Sequence, residues 1–419
     1  MRQFLLISGC VLLSFNGANA QMYSPTDAAV RKFQQFFNKD EKDSIFNMLS
    51  VRSKQLMPAD KLGSAMAGLH QQVGDLKSCS LSRQEGGMSF YKSEFSNATL
   101  TLVVAADADN KLETFRFVPY KEATTEPADV SNMVLSTPTG KIYGSLAMPA
   151  GAKKVPVVLI IAGSGPTDRN CNSDLNLKSN AFKMLADSLK QAGIASVRYD
   201  KRGVGESAGA LSSKSSLDFG IYVNDAEGFI KMLKADPRFS EVIVAGHSEG
   251  SLIGMIAAKN AGAKKYISIA GAGERINKTI RDQYAVQSAA MADSATRIMD
   301  TIMMGKEAVN VPAPLYPLFS PAMQPYMRSW LKYDPQEEIK KLQIPILIVQ
   351  GDNDLQVSVK NADNLKKAAP KAKLVIIKKM NHPMKEAPTD RVGNFETYNK
   401  PSLPLCPGFA AAIVKFIKG

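Results

Sequence analysis

Histidine and cysteine are scarce in this chain. Its 419 residues contain three histidines, His70, His247 and His382, and four cysteines. Neither residue type occurs with the paired spacing of a zinc site, so the sequence indicates no metal ligand set and no other cofactor. Any chemistry that needs an imidazole must use one of three positions.

Long apolar runs are missing after the amino terminus. Residues 1–20 carry one early arginine, an apolar run from Phe4 to Phe15 and the sequence Ala-Asn-Ala before Gln21, which is the pattern of a secretory signal peptide. Its apolar run is too short to span a bilayer, and no later segment is apolar for about 20 residues. We therefore expect an exported protein, periplasmic or extracellular, without an integral membrane span. A lipid anchor at Cys10 is the less favoured alternative, because the apolar stretch ahead of that residue is short.

The basic residues are not collected into one patch. The 52 lysines and arginines exceed the 39 aspartates and glutamates, giving a net charge of +13. Many of the lysines lie in separate pairs along the chain, whereas a nucleic-acid-binding protein concentrates basic residues on one face. We interpret the charge as a solvated basic surface and expect no nucleic-acid partner.

The cysteine count limits the disulfides. If Cys10 leaves with the signal peptide, Cys79, Cys171 and Cys406 remain. Three cysteines allow at most one intramolecular disulfide, for which Cys171 with Cys406 is the pair we favour. Three unreactive thiols are the alternative.

The pattern of apolar residues divides the chain. Residues 21–118 begin with helical periodicity, in which Val30, Phe33 and Phe37 recur, and continue with alternation that predicts strands. Helices followed by strands indicate a small α+β domain, and this order resembles the cone-shaped domains related to nuclear transport factor. Residues 119–130 contain two prolines and mixed charge, which predicts a linker.

Strand and helix patterns alternate in residues 131–419. After a hairpin pattern, the apolar run Val155 to Ile161 predicts a strand buried on both faces. We expect an α/β fold with a doubly wound, mostly parallel sheet entered through an antiparallel hairpin. Residues 274–343 break the alternation and predict a helical lid above the carboxyl ends of the strands. The methionines of this lid predict either an adaptable apolar surface near a substrate or the core of a small cap.

One stretch, Glu241 to Ser251, joins β-branched residues to the sequence Gly-His-Ser-Glu-Gly and then to a helical pattern. A strand that turns sharply into a helix with a serine at the apex is a nucleophile elbow, which here exposes the hydroxyl of Ser248. Serine needs a base, and the base needs an orienting acid. The backbone of His247 points it away from the serine, and His70 lies in the other domain. His382, just after the last predicted strand, is therefore the expected base.

Two aspartates, Asp352 and Asp354, follow the preceding strand. We favour Asp354 as the acid, because the loop must carry the carboxylate past the turn glycine to reach the histidine. Asp352 is the alternative, and either residue could instead cap the following helix.

An acyl-transfer site also needs backbone N–H donors for the oxyanion. One donor is expected from Glu249, directly after the serine. The second is expected from the loop after the Val155 to Ile161 strand, where we favour Ser164 over Gly165. This loop lacks the Gly-Lys-Ser/Thr ending of a phosphate-binding loop and the third glycine of a dinucleotide site, which excludes both of those sites.

Five motifs occur in one order along the chain: AGSGPTDRN, RYDKRGVGES, GHSEGS, QGDNDLQV and MNH. From about Met133 to the end they resemble the α/β-hydrolase superfamily, and within it secreted bacterial serine esterases related to dienelactone hydrolases and prolyl-oligopeptidase-type domains. The resemblance implies hydrolysis of a small-molecule carboxylic ester through an acyl-enzyme, with Ser248, Asp354 and His382 as the triad. It also implies that the turn at residues 200–203 orders the nearby oxyanion loop.

Asp168 and Arg169 are expected to order the same loop rather than to contact substrate. Ala162 departs from the pattern, because many members of the superfamily have histidine before the glycine of this loop, and the departure bears on the fine geometry of the oxyanion hole.

Two other functions fit the same motifs. A peptidase or amidase would use the same triad, although no propeller domain precedes the catalytic domain and no acidic pair for a peptide amino terminus can be identified. A catalytically inactive binding protein would keep the scaffold, although the retention of serine, acid and histidine in this order argues against it.

Overall fold

The computed structural model describes residues 25–85, 88–107, 109–120, 130–173, 177–211, 217–286 and 288–419. The predicted signal peptide, residues 1–20, lies outside these ranges, as does most of the predicted linker, residues 119–130. Backbone contacts divide the chain into an amino-terminal unit of residues 1–82 and 88–121 and a carboxyl-terminal unit of residues 83–87 and 122–419. No helix within the described ranges is both long and apolar enough to cross a bilayer.

The amino-terminal unit places its helices before its strands. In the described residues these are α1 Pro25–Asn38, α2 Lys42–Met48, α3 Val51–Leu56, α4 Ala59–Val73, β1 Leu76–Glu85, β2 Met88–Phe95, β3 Thr99–Ala106 and β4 Leu112–Pro119. The strands form one sheet in chain order, with β3 antiparallel to both β2 and β4. The predicted helical face of Val30, Phe33 and Phe37 is buried in one cluster with Leu102 and Val104 of the sheet. Each element therefore buries its apolar face against the other.

The carboxyl-terminal unit is built on a large sheet. Its strands are β5 Val130–Thr137, β6 Gly140–Ala147, β7 Val155–Ile161, β8 Asn172–Ser173, β9 Leu177–Lys178, β10 Ala195–Tyr199, β11 Phe239–His247, β12 Lys265–Ile269, β13 Ile346–Gly351 and β14 Lys373–Ile377. The short strands β8 and β9 pair only with each other. The other eight have the order β14-β13-β12-β11-β7-β10-β6-β5, in which β5 and β6 are the antiparallel hairpin and the rest run parallel. The predicted doubly wound, mostly parallel sheet is confirmed.

Helices cover both faces of this sheet. They are α5 Ala181–Gln191, α6 Phe219–Ala235, α7 Glu249–Ala261, α8 Ile276–Ala285, α9 Ala289–Met303, α10 Tyr316–Phe319, α11 Gln324–Trp330, α12 Pro335–Lys340, α13 Val359–Ala368, α14 Arg391–Glu396 and α15 Phe409–Lys418. Val157 and Leu159 of β7 are buried in the cluster that contains α6 and α7, whereas Val158 and Ile160 are buried in the cluster that contains α5 and α15. Successive side chains of a strand point to opposite faces, which explains why β7 is apolar throughout.

The predicted lid, residues 274–343, contains α8 to α12. Its methionines are either packed in the main core or exposed on the surface: Met299 and Met327 are buried, Met291 and Met323 pack half-buried against the core, and Met303 and Met304 are exposed. The packed methionines therefore belong to the main core of this unit.

The predicted disulfide between Cys171 and Cys406 is wrong. Cys79, Cys171 and Cys406 are free thiols, and the thiol of Cys406 donates to the carbonyl oxygen of Lys378 at 3.4 Å. Both side chains lie in the apolar cluster of α5 and α15, where packing holds them. Burial raises the pKa of Cys171 to about 12 and that of Cys406 to about 11. Both thiols are therefore neutral and poor nucleophiles.

Candidate active site

Ser248 stands between the end of β11 at His247 and the start of α7 at Glu249. Its backbone angles are φ 54° and ψ −122°, a region that a residue with a Cβ enters only when the surrounding structure holds it there. A Cβ on Gly246 would clash with the carbonyl group of Gly250, and a Cβ on Gly250 would clash with the carbonyl group of Ile161. The glycines therefore permit the turn, and Ser248 lies at the apex of a strained strand–turn–helix, which is the geometry of a nucleophile elbow.

His382 and Asp354 meet at the same edge of the sheet. His382 follows β14 and Asp354 follows β13, two neighbouring parallel strands. The Nδ1 atom of His382 lies 2.8 Å from the Oδ2 atom of Asp354, and both side chains are buried. Asp352, the alternative acid, is exposed and accepts the backbone N–H of Lys379 at 2.6 Å. The carboxylate that faces the histidine is therefore that of Asp354.

The carboxylate of Asp354 is held by four donors. Its Oδ1 accepts the backbone N–H groups of Gln356 and Val357 at 2.8 and 2.9 Å. Its Oδ2 accepts the side-chain amide of Gln350 at 3.1 Å, in addition to Nδ1 of His382. Burial opposes ionisation, but the facing imidazole of His382 and these hydrogen bonds outweigh it and hold the pKa of Asp354 below its ordinary value. An ionised Asp354 fixes the proton of His382 on Nδ1, which leaves Nε2 to act as a base.

His247 contacts the loop of His382. Its Nε2 atom lies 2.9 Å from the backbone carbonyl oxygen of His382, and the two rings are 4.7 Å apart. Burial, together with the neighbouring His382, lowers the pKa of His247 to about 3. The neutral ring donates its Nε2 proton to that carbonyl, so His247 orients the histidine loop and packs against Phe182.

The residues predicted as oxyanion donors line cavities that Ser248 also lines. Ser164 and Gly165 belong to the loop after β7, and Glu249 is the first residue of α7, where backbone N–H groups have no partner within the helix. A Cβ placed on Gly163 would lie 3.0 Å from the Cβ of Ser248, so this loop packs directly against the nucleophile.

Two cavities meet at Ser248, and Ser164 and Gln356 line both of them. The first has a volume of about 210 Å³ and is lined by His247, His382, Tyr398 and the loop that contains Gly165. We call it the histidine-side cavity. The second has a volume of about 100 Å³, and we call it the lid-side cavity. Its apolar walls are Leu252, Ile276, Ile280, Leu318, Trp330 and Val357.

The other side chains of the oxyanion loop are engaged in holding it. Asp168 accepts the backbone N–H groups of Asn170 and Asn172 at 2.8 Å each, and burial raises its pKa to about 6. Arg169 donates to Asp200 at 2.6 Å and also contacts Glu206. Both side chains order the loop, and neither lines the two cavities at Ser248.

The contacts of Lys201 could not be predicted from the sequence. Its ammonium donates to the backbone carbonyl of Gly163 and to the carboxylate of Glu249, each at 2.9 Å. The motif Asp-Lys-Arg-Gly indicated an ordered turn, but it gave no signal for the atoms that the lysine binds. Among the described residues, no group of three or more histidine, cysteine, aspartate or glutamate side chains is arranged to hold a metal ion.

The chain is similar to known hydrolases. Residues 175–311 match the family model of serine aminopeptidase S33, and residues 30–115 match a family described as a protein of unknown function, DUF3887. The chain is 24% identical to the esterase EstD of Thermotoga maritima over 367 residues, which cover 84% of this chain and 86% of that protein.

Two solved structures illustrate the likeness. Est1E from Butyrivibrio proteoclasticus, in a complex with ferulic acid, is 18% identical with a TM-score of 0.45, covering 68% of this chain and 96% of that one. The esterase Pf2001 of Pyrococcus furiosus is 13% identical with a TM-score of 0.47, covering 72% of this chain and 95% of that one. The sheet order and the elbow give this chain the α/β-hydrolase fold, and its similarity to the esterase and to the family model supports a serine hydrolase.

Proposed function

We propose that this protein is an exported carboxylesterase that works through an acyl-enzyme on Ser248, with His382 as the base and Asp354 as the acid. One observation carries the proposal: a serine at a strained elbow lines one cavity together with a histidine that is hydrogen-bonded to a buried aspartate. The signal-like pattern of residues 1–20 supports export.

In the first half of the reaction, Nε2 of His382 accepts the proton of Ser248 as the serine oxygen attacks the ester carbonyl carbon. The carbonyl electron pair moves to the oxygen, which the backbone N–H groups of Ser164 and Glu249 stabilise, with Gly165 as the alternative to Ser164. Each such donor contributes about 3 to 4 kcal/mol to the stability of the tetrahedral intermediate. When the carbon–oxygen bond to the leaving group breaks, His382 gives its proton to the leaving oxygen and an alcohol departs.

In the second half, water replaces the alcohol. His382 accepts a proton from this water as it attacks the acyl-serine carbonyl, and the same donors stabilise the second oxyanion. Collapse releases the carboxylic acid and returns the proton from His382 to Ser248. Asp354 remains ionised throughout and stabilises the imidazolium form of His382.

From the position of His382 we infer which part of the ester lies in each cavity. The leaving oxygen must receive its proton from this histidine, so the alcohol lies in the histidine-side cavity that His382 lines. The acyl group then lies in the lid-side cavity, which is small and mostly apolar. We therefore infer a preference for short, apolar acyl groups, set by the lid-side cavity rather than by the lid methionines.

The peptidase alternative has specific support in the match to the serine aminopeptidase model. An aminopeptidase must pair the free ammonium of its substrate with a carboxylate on the acyl side. The two glutamates of the lid-side cavity already have lysine partners: Glu249 pairs with Lys201 at 2.9 Å, and Glu274 pairs with Lys360 at 3.1 Å. Because both negative charges are compensated, we favour ester substrates over aminoacyl ones.

A labelling and turnover experiment tests this function. We expect a fluorophosphonate to label the wild type and not Ser248→Ala or His382→Ala, and p-nitrophenyl acetate and butyrate to be hydrolysed faster than aminoacyl-p-nitroanilides. His70→Ala is the matched control, because this histidine belongs to the amino-terminal unit and pairs with Asp75. A folded wild type that is not labelled would contradict the triad, and faster turnover of the anilides would favour the peptidase.

A further inference from the structure

Lys201 is a buried cation at the centre of the oxyanion machinery. It follows β10 in the turn of residues 200–203, and its side chain is 5% exposed. Its ammonium binds the carbonyl oxygen of Gly163 and the carboxylate of Glu249 at 2.9 Å each, and it lies 4.6 Å from the centroid of the Tyr222 ring. Burying a charge costs several kcal/mol, which its partners must offset. Stability alone gives little reason for this pair, because apolar residues of similar size often stabilise a core equally well.

The two groups that bind Lys201 are the two arms of the proposed oxyanion hole. The carbonyl of Gly163 and the N–H of Ser164 belong to one peptide unit, which is planar, so that in its trans form the two bonds point in opposite directions. When Lys201 fixes the direction of this carbonyl, it also fixes the direction of the Ser164 N–H. Its second partner, Glu249, is the residue whose backbone N–H is the other donor.

The same contact strengthens the donor. A cation on a peptide carbonyl draws electron density toward the oxygen, which polarises the N–H of that peptide and makes it a better hydrogen-bond donor. The gain in hydrogen-bond strength is largest when the N–H faces the negative charge of a tetrahedral intermediate.

We propose that Lys201 is a positioning residue that aligns both oxyanion donors, through the Gly163–Ser164 peptide on one side and the side chain of Glu249 on the other. The proposal rests on the proposed function of Ser248. It predicts that removing the ammonium lowers the rate of the chemical step while ground-state substrate binding is kept.

A neighbouring ion pair supplies the control. Arg202 and Asp225 form a pair of similar burial, with two hydrogen bonds of 2.6 Å. Arg202 otherwise contacts Thr139 and the carbonyl of Ala210. Among the hydrogen bonds and ion pairs of the described residues, neither partner binds the oxyanion loop or α7. Replacing this pair therefore measures the effect of losing a buried ion pair next to the site without disturbing the two donors.

The experiment compares Lys201→Met/Glu249→Met with Arg202→Met/Asp225→Leu, since double replacement leaves no uncompensated buried charge. For the Lys201 double variant we expect kcat on p-nitrophenyl acetate to fall about 10²- to 10³-fold, as for loss of one oxyanion donor, with KM within about threefold of wild type. The affinity for a trifluoromethyl ketone, which mimics the tetrahedral intermediate, should fall in proportion to kcat. The Arg202 double variant should change both quantities less than about threefold at a comparable Tm.

Two results would overturn the inference while leaving the esterase in place: wild-type kcat and ketone affinity in the Lys201 double variant, or equal losses in both double variants. The second result would mean that Lys201 acts only through the stability of the fold. A wild type that hydrolyses no ester and is not labelled by fluorophosphonate would instead contradict the proposed function, and this inference with it.

Discussion

The two cavities that meet at Ser248 are built in different ways. Much of the histidine-side cavity is lined by loops that follow strands of the sheet, such as the loop of His382 after β14 and the oxyanion loop after β7. The lid-side cavity is lined mainly by helices of the inserted segment, with Ile276 and Ile280 from α8 and Trp330 from α11. One cavity is therefore placed by the register of a parallel sheet and the other by the packing of short helices.

This difference separates rate from selectivity. On the histidine side, reacting groups are held by directional contacts, such as the four donors to Asp354. On the lid side, the proposed acyl site has mostly apolar walls, and apolar contact has no preferred direction and depends on shape and size. We expect substitutions on the histidine side to change the rate for every ester, and substitutions on the lid side to change which ester is preferred.

The largest effect should follow from Asp354→Asn. The amide keeps the shape of the carboxylate but no longer stabilises the imidazolium of His382 and allows the wrong tautomer, so we expect kcat to fall about 10⁴-fold for all esters. Steady-state kinetics on acetate and butyrate esters measure this loss. Asp352→Asn is the control, because the carboxylate of Asp352 is exposed and accepts the backbone N–H of Lys379. This variant should keep kcat within about threefold of the wild type. Equal losses in both variants would show that Asp354 is not the acid.

A smaller and selective effect is expected from Ile280→Trp. The larger side chain would fill part of the lid-side cavity, so the ratio of kcat/KM for p-nitrophenyl acetate over the butyrate should rise about 10- to 100-fold, the range in which a hydrophobic pocket discriminates methylene groups. Val286→Trp is the matched control, because this residue follows the same helix and is 69% exposed. If Ile280→Trp slowed both esters equally, the acyl group would not lie in the lid-side cavity.

The same contrast explains which features could be predicted from the sequence. Ser248, Asp354 and His382 each follow a strongly apolar strand, and residues after parallel strands gather at one edge of a sheet, so chain order alone predicted which groups would come together. The lid-side cavity could not be predicted in this way, because its walls depend on how α8, α10 and α11 pack. The methionine content of the lid predicted an apolar surface near a substrate, yet no methionine is among the residues that line the lid-side cavity.

Contacts between segments that are distant along the chain also could not be predicted from the sequence. The binding of Lys201 to Gly163 and Glu249 requires β10, β7 and β11 to be neighbours, which no local pattern states. The prediction of a disulfide was wrong for the same reason, because the number of cysteines gives no distance between Cys171 and Cys406. In the amino-terminal unit, residues 76–85 of β1 are mostly polar, as an edge strand allows, so they carry no alternating apolar pattern that would predict a strand.

The smallest effect that we expect concerns the pH dependence of stability on the histidine side. The pKa of His247 is lowered to about 3 in the folded protein, whereas the pKa of an unfolded histidine is about 6.5. As the pH falls below this value, the unfolded state binds the proton first, so stability is lost between about pH 6.5 and 3.

The variant His247→Gln tests this dependence, because its amide can still donate to the carbonyl of His382 but does not titrate. Between pH 7.5 and 4.5 its Tm should fall by less than that of the wild type. Parallel Tm profiles in the wild type and His247→Gln would mean that His247 is not the buried neutral group that orients the loop of His382, and that the sheet-built side of the site is less rigid than its contacts indicate.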